Sequence, residues 1–420
     1  MAFHHTLRAV TRRNKSMSLV SPSTSGPNLR SNIRNLYWDV FWWGILGGST
    51  VAFLSVYATR IGASSFQVGL LTAGPAVGNL LVSLPVGRWL ENRSLIRATF
   101  WSSVAQRVGY VPLIFLPWLL TASAQVWTIE LLVLLMSAPG TLLAIGFNSM
   151  FVEVVPPRER AQVVGWRNAL VAISLTAASL LCGRLLDWIP FPLNYQVVFA
   201  VGALGGAMSS FHLGRIRAPA APAPQARRTE RQNKPLLRLD LLRGAFGPFI
   251  AVYLSFYVFQ NIPVPLFPLA FVRALHLTDG TISLGNALFY GTMFLASTQL
   301  GRLAERWGHR RVLILGALFY GLYPLLIALA WDATLFWVAS ILGGGAWGLA
   351  GAGLINRLME RVPPDDLPAH MALHNLALNL GMLGGSLMGP AMGNAFGLRE
   401  ALALSAGLRL LGGVLLRLWA

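Results

Sequence analysis

The sequence predicts an all-α integral membrane fold, in which twelve transmembrane helices form two six-helix bundles. Three observations predict this fold. The chain is strongly apolar with long charge-free runs, its basic residues collect on one side of the predicted membrane, and polar loop motifs of its first half recur in its second half. Together they indicate a duplicated protein embedded in lipid.

The composition is that of a membrane protein. Of 420 residues, 55% are hydrophobic and only 11% are charged, whereas an ordinary soluble protein carries about 25% charged residues. Runs such as 40–59, 61–87 and 312–331 contain no charge and are long enough to cross hydrocarbon as helices. The charge-poor windows predict twelve spans, at 36–58, 66–87, 98–120, 126–151, 163–186, 191–214, 243–266, 281–301, 311–331, 333–356, 369–393 and 398–418.

The basic residues orient these spans. The chain has 33 Lys and Arg against 15 Asp and Glu. With both termini in the cytoplasm, only Arg60, Arg184, Arg273 and Arg399 lie outside, and Arg107 and Arg409 lie within spans. The positive-inside rule therefore predicts an inner (plasma) membrane protein with both termini cytoplasmic. Nucleic acid is not an expected partner, because the basic loops lack the interleaved aromatic residues that single strands stack on.

The polar segments divide the chain into domains. Residues 1–35 are basic and lack the apolar core of a secretory signal, so we expect a cytoplasmic tail, with a mitochondrial-type transit segment as the alternative. Residues 215–242 alternate Ala and Pro before a charged stretch, which is typical of a solvated linker. The linker separates a bundle over 36–214 from one over 243–420. The single cysteine, Cys182, excludes a disulfide framework and a cysteine metal site.

The seventh span is expected to be broken. It contains Pro248, Pro263 and Pro265, with Pro268 at its edge, and each proline removes a backbone donor from the helix. Broken backbone is tolerated in a bilayer where it is buried in protein or lines a wet cavity. The span is therefore a candidate cavity wall.

Two polar loop motifs recur in the second half. In the first motif, five residues of the loop after span four recur 207 positions later, in the loop after span ten. They are Glu153, Val155, Pro156, Pro157 and Asn168, which correspond in that order to Glu360, Val362, Pro363, Pro364 and Asn375. Gly87, Arg88 and Glu91 recur 214 positions later as Gly301, Arg302 and Glu305. Both pairs follow even-numbered spans, so the two halves are predicted to be parallel repeats.

The segment 301–311, GRLAERWGHRR, resembles the loop motif between helices eight and nine of the major facilitator superfamily. This resemblance extends over all twelve spans and implies a transporter that binds its solute between two rocking bundles. It also implies a conformational latch, formed by Gly87, Arg88, Glu91, Gly301, Arg302, Glu305, Arg306, Gly308, Arg310 and Arg311. The alternative is that these residues only set topology and stability.

The family's other signatures are missing or displaced. In the first copy of the loop, Asn92 stands where a basic residue is usual and Ser94 where glycine is usual. Span four lacks the arginine-glutamine-glycine signature of proton-coupled members, and span five lacks the glycine-proline signature associated with antiport. A similar string in span eleven, containing Gly385 and Gly389, is interpreted as helix packing. Because both signatures are missing, the motifs do not establish export by proton exchange.

Ionisable groups inside spans are the first candidates for a site, because their burial is costly. Asp39, near Trp42 and Trp43 in span one, is expected to carry a proton or bind a cationic group; alternatively it is a first-turn carboxylate favoured by the helix dipole. Glu130 in span four faces either a cavity or solvent. Arg107 in span three pairs with Asp39 or Glu130, or is a structural or snorkelling cation.

Neutral residues complete the predicted cavity. The candidates are Gln260, Asn261, Asn286, Tyr290, Trp347 and Asn379. As a set they suggest a mostly neutral, aromatic-lined cavity, although each is also suited to hydrogen bonding between helices. Gly343, Gly345 and Gly348 fit a dinucleotide pattern but lie in an apolar span, so packing is the interpretation. His370 and His374 lack the glutamate of a metalloprotease motif, and no metal or cofactor is predicted.

The sequence therefore predicts a monomeric secondary active transporter, with the lipid bilayer, a small-molecule substrate and protons as its partners. Proton-coupled efflux of an amphipathic or weakly cationic compound is the first hypothesis. Uptake of a metabolite and a non-transporting sensor or assembly protein are alternatives. A membrane-embedded transferase would need a cluster of acids, histidines or nucleophiles at a membrane face, so no enzyme is predicted.

Overall fold

The computed structural model describes residues 27–91, 93–218, 238–244, 246–362 and 367–419, and they form twelve principal helices. The helices are α1 (Pro27–Leu46, Gly47–Val51 and Ala52–Arg60), α2 (Ser65–Glu91), α3 (Leu95–Val108), α4 (Ala122–Val154), α5 (Pro157–Trp188), α6 (Leu193–Gly214), α7 (Phe246–Asn261), α8 (Asp279–Trp307), α9 (His309–Leu329), α10 (Ala333–Arg361), α11 (Leu367–Phe396) and α12 (Leu398–Trp419). Within these residues, nine helical segments are long and apolar enough to cross a membrane. The predicted all-helical fold is confirmed. Helices suit a chain in lipid, because they satisfy the backbone hydrogen-bonding groups within each segment.

Several boundaries differ from those predicted. Helix α1 begins at Pro27, so residues 27–35, assigned above to the tail, belong to it. The Asn32 side chain bonds both backbone groups of Arg217, at 2.8 Å to its oxygen and 2.9 Å to its nitrogen. This contact anchors the polar start of α1 to the end of α6, which a hydropathy window cannot detect. The rest of the tail, to residue 26, and linker residues 219–237 lie outside the described part.

The third predicted span, 98–120, is not one helix. Helix α3 ends at Val108, and the chain continues as two short turns at Pro112–Ile114 and Leu116–Leu119. Pro112 and Pro117 each lack the backbone N–H that a continuing helix would need at that position. The sequence contained this signal, but the apolar composition of the segment hid it.

The break predicted in the seventh span is confirmed. Helix α7 ends at Asn261, and after the turn that contains Pro263 and Pro265 the chain resumes at Leu266–Leu269 and then as a π-helical segment at Ala270–Ala274. Helix α1, which begins the other half, also contains a π-helical segment, at Gly47–Val51. Such segments are concentrated at functional sites in proteins.

The helices form two bundles, α1–α6 and α7–α12, with the same order of packing. In the first, α1 packs against α5 and α6, α2 against α4, and α3 against α4 and α6. In the second, α7 packs against α11 and α12, α8 against α10, and α9 against α10 and α12. This correspondence is what a parallel duplication predicts. The two bundles meet through the pairs α5–α8 and α2–α11.

Glycines allow close helix packing in the second bundle. A Cβ added at Gly344 of α10 would lie 2.0 Å from the carbonyl oxygen of Phe289, and one added at Gly389 of α11 would lie 2.0 Å from that of Ile262. Such approaches are possible only for a residue without a side chain. Of the dinucleotide-like pattern in α10, Gly343 and Gly348 also serve packing, since a Cβ would lie 2.7 Å from the Tyr323 ring at the first and 2.5 Å from the Met293 carbonyl oxygen at the second. A Cβ added at Gly345 would meet nothing within 4 Å.

The hydrogen bonds and ion pairs described between the bundles cluster at one end, where α1 ends and α8 begins. Arg60 forms an ion pair with Asp279, at 2.7 Å between Nη2 and Oδ1, and donates to the Leu277 carbonyl at 2.9 Å. Arg273 donates to the carbonyl of Ala63. We call this the closed end.

The polar contacts between α5 and α8 continue inward from the closed end as far as Ser283. Asp187 of α5 accepts a hydrogen bond from the Gly280 N–H at 3.0 Å, which is favourable at a helix N-terminus. Ser283 donates to the Ser179 carbonyl at 2.5 Å. Further along α8, a Cβ added at Gly291 would meet nothing within 4 Å. The hydrogen bonds and ion pairs described between the bundles thus lie between Ser283 and the closed end. The opposite end is called the terminal end, because the described chain begins and finishes there.

Removal of the Arg60 side chain is expected to open the closed end. The Asp279 side chain is only 7% exposed and that of Arg60 25%, so this pair is more shielded from water than an ordinary surface pair. We expect Arg60→Ala to shift the equilibrium toward separation of the bundles at this end by roughly tenfold. Distances between spin labels at positions 118 and 331, in a Cys182→Ser background, would measure the shift.

The charge-exchanged double variant, Arg60→Asp with Asp279→Arg, should restore the short label distance. Arg184→Ala is the matched control, because Arg184 is exposed near the same end and lies over the Trp188 ring of its own helix. An unchanged distance distribution in Arg60→Ala would show that the pair does not hold the bundles together.

Candidate functional site

A buried cluster of charges lies inside the first bundle. Asp39 of α1 is 4% exposed, with Oδ1 3.8 Å from Nη2 of Arg107 and Oδ2 3.6 Å from Nη2 of Arg167. Ser209 donates its hydroxyl to Asp39 at 2.5 Å. Four helices, α1, α3, α5 and α6, thus place side chains at one point. Because α1 begins at Pro27, Asp39 is not in the first turn of its helix, and the dipole explanation considered above is wrong.

The charge cluster lies against a cavity of about 490 Å³. Its polar wall includes Asn148 and Asn168 besides the three charged side chains, and its apolar wall is built by residues of α1, α4 and α5, namely Val40, Trp43, Leu143, Ala144, Phe147 and Val171. Of the residues predicted for the site, Asp39, Trp43 and Arg107 therefore meet here. Trp42 is half-buried and packs edge-on to Phe41, at 5.8 Å between ring centroids.

Arg167 was missed as a site residue. The distribution of basic residues places Arg167 with the cytoplasmic loops, and this assignment is wrong because Arg167 lies within α5. Its guanidinium lies over the Phe147 ring, 4.2 Å from the centroid, and its Nη1 is buried without a hydrogen-bond partner in the described part of the chain. The available signal was its position inside the predicted span 163–186.

Arg107 pairs with Asp39 rather than with Glu130. Its Nη1 donates to the Ser210 hydroxyl at 3.0 Å, while its Nε is buried without a partner among the described residues. Glu130 is half-buried on α4, and its Oε1 has no hydrogen-bond partner in the same set. Of the two partners proposed for Arg107, the structure therefore has Asp39, and Glu130 stands apart from the cluster.

In the second bundle, two predicted hydrogen-bonding amides serve their own helices. The Asn261 side chain donates to the Tyr257 carbonyl at 2.7 Å, and that of Asn379 donates to the Asn375 carbonyl at 2.8 Å. Each bond reaches one turn back along the same helix. These donors are thus satisfied within their own helices, rather than by a ligand or a neighbouring helix, the two roles predicted for them.

The aromatic residues predicted to line a cavity in the second bundle lie next to other aromatic rings. Trp347 lies 5.1 Å from Tyr320 between ring centroids, and Tyr290 lies 5.8 Å from Phe289. Asn286, Tyr290 and Trp347 are all half-buried. His374 shares a 2.7 Å hydrogen bond with the Tyr257 hydroxyl.

Arg409, in the middle of α12, is among these aromatic residues and is only 2% exposed. Its guanidinium lies 4.3 Å from the centroid of the Tyr320 ring, a cation–π arrangement. It also donates to the carbonyls of Tyr320, at 3.5 Å, and of Gln260. The partners that the sequence could not identify for Arg409 are therefore backbone carbonyls and ring faces.

Neither of these two carbonyls has the backbone N–H partner that a regular helix would supply. A helical carbonyl bonds to the N–H four residues later. For Tyr320 that residue is Pro324, which has no N–H. For Gln260 it is Val264, whose N–H bonds instead to Asn261 at 3.2 Å in the α7 break. Arg409 thus occupies two acceptors that prolines and the break have left without partners.

The second copy of the loop motif is disengaged at the terminal end. Gly308 ends α8 with a φ of +80°, a left-handed conformation that glycine adopts most readily. Glu305 is exposed and forms no ion pair with a described residue, while Arg310 donates to the Arg417 carbonyl at 2.6 Å. A Cβ added at Gly301 would meet nothing within 4 Å. In the described part of the chain, no atom therefore lies close to the position of a Cβ on Gly301, where the motif predicts a close helix approach.

The other residues of the predicted latch make few described contacts with other helices. Arg302 donates to Gln299 on its own helix at 3.3 Å, and Arg306 and Arg311 are exposed. For the first copy, Gly87, Arg88 and Glu91 lie in α2, and their side chains are outside the described part, as is Asn92. The latch therefore stays a prediction.

Comparison with protein families gives one match that covers most of the chain. The model described as Major Facilitator Superfamily matches residues 43–260 and 249–420. Among curated proteins, a segment of 104 residues is 29% identical to Multidrug resistance protein 2 of Bacillus subtilis (strain 168), covering 25% of this chain. The match spans only 24% of that relative's length.

Solved structures share the fold at low sequence identity. A mutant of the nucleoside transporter NupG superposes with a TM-score of 0.74 and 11% identity, over 92% of this chain and 99% of that chain. A bacterial homologue of the iron transporter ferroportin, in an inward-facing state, gives 0.69 and 15%, over 94% and 99%. A bacterial homologue of the lysosomal transporter Spinster, also inward-facing, gives 0.66 and 16%, over 94% and 96%.

Proposed function

The chain belongs to the major facilitator superfamily, a multi-pass membrane family of transporter type, and from this premise we propose that it exports an amphipathic compound by proton-coupled alternating access. The observation that carries the proposal is the asymmetry of the bundle interface. The polar contacts described between the bundles lie at the closed end, from Arg60–Asp279 to Ser179–Ser283, whereas a Cβ added at Gly291, further along α8, would meet nothing within 4 Å. A solute cavity that opens to one side at a time requires such a difference between the two ends.

The orientation follows from the distribution of charge. With the terminal end in the cytoplasm, most basic residues outside the spans lie on the cytoplasmic side, as the positive-inside rule requires. In this orientation the closed end faces outward, and the structure corresponds to an inward-facing state. The disengaged Glu305 agrees with this assignment, since a cytoplasmic latch should be released when the cytoplasmic side is open.

Asp39 is the proposed proton carrier. Intramembrane carboxylates are rare and commonly serve proton relays. The Asp39 carboxylate contacts three helices besides its own, through Arg107, Arg167 and Ser209. Protonation would remove the charge to which both guanidinium groups are attracted, and so would change the packing of α3 and α5 against α1. Protonation of Asp39 would thus be coupled to the positions of α3 and α5 relative to α1.

Export of an amphipathic compound rests on two observations. The partial match to Multidrug resistance protein 2 supports export, because that protein's name describes resistance to drugs. The mixed lining of the Asp39 cavity, which combines charged groups with Trp43, Leu143 and Phe147, suits a molecule with a polar and an apolar part. The same features would serve uptake, so direction must be measured.

The test is transport by the purified full-length chain in proteoliposomes with an imposed pH gradient. Matched naphthalene derivatives that are neutral, anionic or cationic serve as solutes, and protein-free liposomes are the control. We expect at least one derivative to move against its gradient, from the side of the chain termini, when protons flow the opposite way. Movement only in the proton's direction would establish uptake instead. Binding with no flux of any solute would overturn the transporter proposal in favour of a sensor.

A further inference from the structure

The Asp39 cavity has an excess of positive charge among its described residues. Arg107 and Arg167 supply two guanidinium groups, and Asp39 supplies one carboxylate. An arginine is always protonated in a protein, so one positive charge lacks a counter-charge. A buried charge is costly unless it is paired.

The hydrogen-bonding capacity of these arginines is also incompletely used. Their distances of 3.8 Å and 3.6 Å to the Asp39 oxygens are longer than hydrogen bonds. The Arg107 side chain is 5% exposed, and its Nε has no partner in the described part of the chain; the same holds for Nη1 of Arg167. Each guanidinium carries five N–H donors in a planar fork that fits carboxylate, sulfonate or phosphate oxygens.

The apolar residues that line the cavity indicate the chemistry of the rest of the ligand, beyond its anionic group. Trp43, Leu143 and Phe147 line the same cavity of about 490 Å³, which is the size of a site for a small organic molecule. Asn148 and Asn168 offer neutral hydrogen bonds beside the arginines. An inorganic anion would leave the apolar walls unoccupied, whereas an aromatic or aliphatic anion would cover them.

We propose that this cavity is the binding site for the anionic group of the transported compound, and that the substrate class is therefore amphipathic organic anions. The proposal rests on the transporter function inferred above and narrows it, since the sequence alone favoured an amphipathic or weakly cationic compound. Arg107 and Arg167 hold the anionic group, and Trp43 and Phe147 contact the apolar part. Asp39 competes with the bound anion for the same two guanidinium groups.

The test is equilibrium binding of two matched probes to the full-length chain in nanodiscs of zwitterionic lipid. One probe is 1-naphthalenesulfonate, and the other is a naphthalene that carries a trimethylammonium group. We expect the sulfonate to bind and the ammonium probe not to bind. Arg167→Gln should weaken sulfonate binding by roughly tenfold to a hundredfold, because it removes charged hydrogen bonds. Arg167→Lys should retain more of the affinity.

Two further variants separate a binding role from a folding role. Arg184→Gln changes an exposed arginine on the same helix and should leave sulfonate binding unchanged. Asp39→Asn removes the competing carboxylate and should tighten sulfonate binding, a gain that misfolding cannot produce. Equal binding of the sulfonate to wild type and Arg167→Gln, or preference for the ammonium probe, would overturn the proposal.

Failure of the inference and failure of the proposed function are distinguishable. Sulfonate binding that depends on Arg167, without flux of any solute, would support the site and contradict transport. Flux of a neutral or cationic naphthalene that excess sulfonate does not inhibit would support transport and contradict the anion site.

Discussion

Asp39→Asn is expected to abolish transport driven by a pH gradient while leaving solute exchange without a gradient intact. Asparagine preserves the shape of the side chain and its bond with Ser209 but cannot take up or release a proton. The exchange reaction needs only rocking of the loaded bundles, so it should continue. Parallel measurements of gradient-driven accumulation and of counterflow in the same proteoliposomes would separate the two activities.

The controls for this variant come from the other acids of the chain. Asp39→Glu keeps a carboxylate and should retain part of the coupling. Glu130→Gln changes the half-buried acid of α4, which lies apart from the arginine cluster, and should leave coupling in place. Normal coupling in Asp39→Asn would remove Asp39 from the proton role, and loss of coupling in Glu130→Gln would transfer that role to Glu130.

Arg409→Met is expected to destabilise the second bundle by about 2 kcal/mol or more, because a buried acceptor without a partner costs about 1–3 kcal/mol. The variant would leave the carbonyls of Gln260 and Tyr320 unpaired. Methionine fills most of the arginine's volume, so a cavity contributes little. Reversible unfolding of the protein in mixed micelles with a denaturing detergent would measure the change, with Arg417→Met, near the end of the same helix, as control.

A second substitution tests the cause of that loss. Pro324→Ala supplies an N–H to the Tyr320 carbonyl, which then no longer needs Arg409. The cost of Arg409→Met should therefore be smaller in the Pro324→Ala background, and a double-mutant cycle measures the difference. Strictly additive effects would show that Arg409 does not act by satisfying this carbonyl.

The fold was readable from the sequence because lipid imposes strong local rules. A span must be long and apolar, and its flanking charges report its side of the membrane. The duplication was visible as well, since loops joining helices at a membrane surface retain polar motifs, as Glu153 and Glu360 illustrate. The break in α7 followed from Pro263 and Pro265 alone, because the loss of a backbone donor is a property of the residue itself.

The site was only partly readable. Asp39 and Arg107 were identified because charged residues stand out within apolar spans. Arg167 lies only a few residues inside the predicted span 163–186 and was therefore assigned to the preceding loop, whereas α5 begins ten residues earlier, at Pro157. Likewise, the start of α1 at Pro27 depends on the bonds between Asn32 and Arg217, which are 185 positions apart.

The sequence by itself determined the class of fold, the number of helices and the broken seventh span, because each follows from composition or proline within a short window. It also determined the duplication, because polar loop motifs of the first half recur 207 and 214 positions later. Only the tertiary structure decided that Arg167 joins Asp39, that Arg60 meets Asp279 across the two bundles, and that Arg409 binds two carbonyls without partners. These contacts join residues far apart in the chain, and the packing of helices, rather than local sequence, sets which side chains meet.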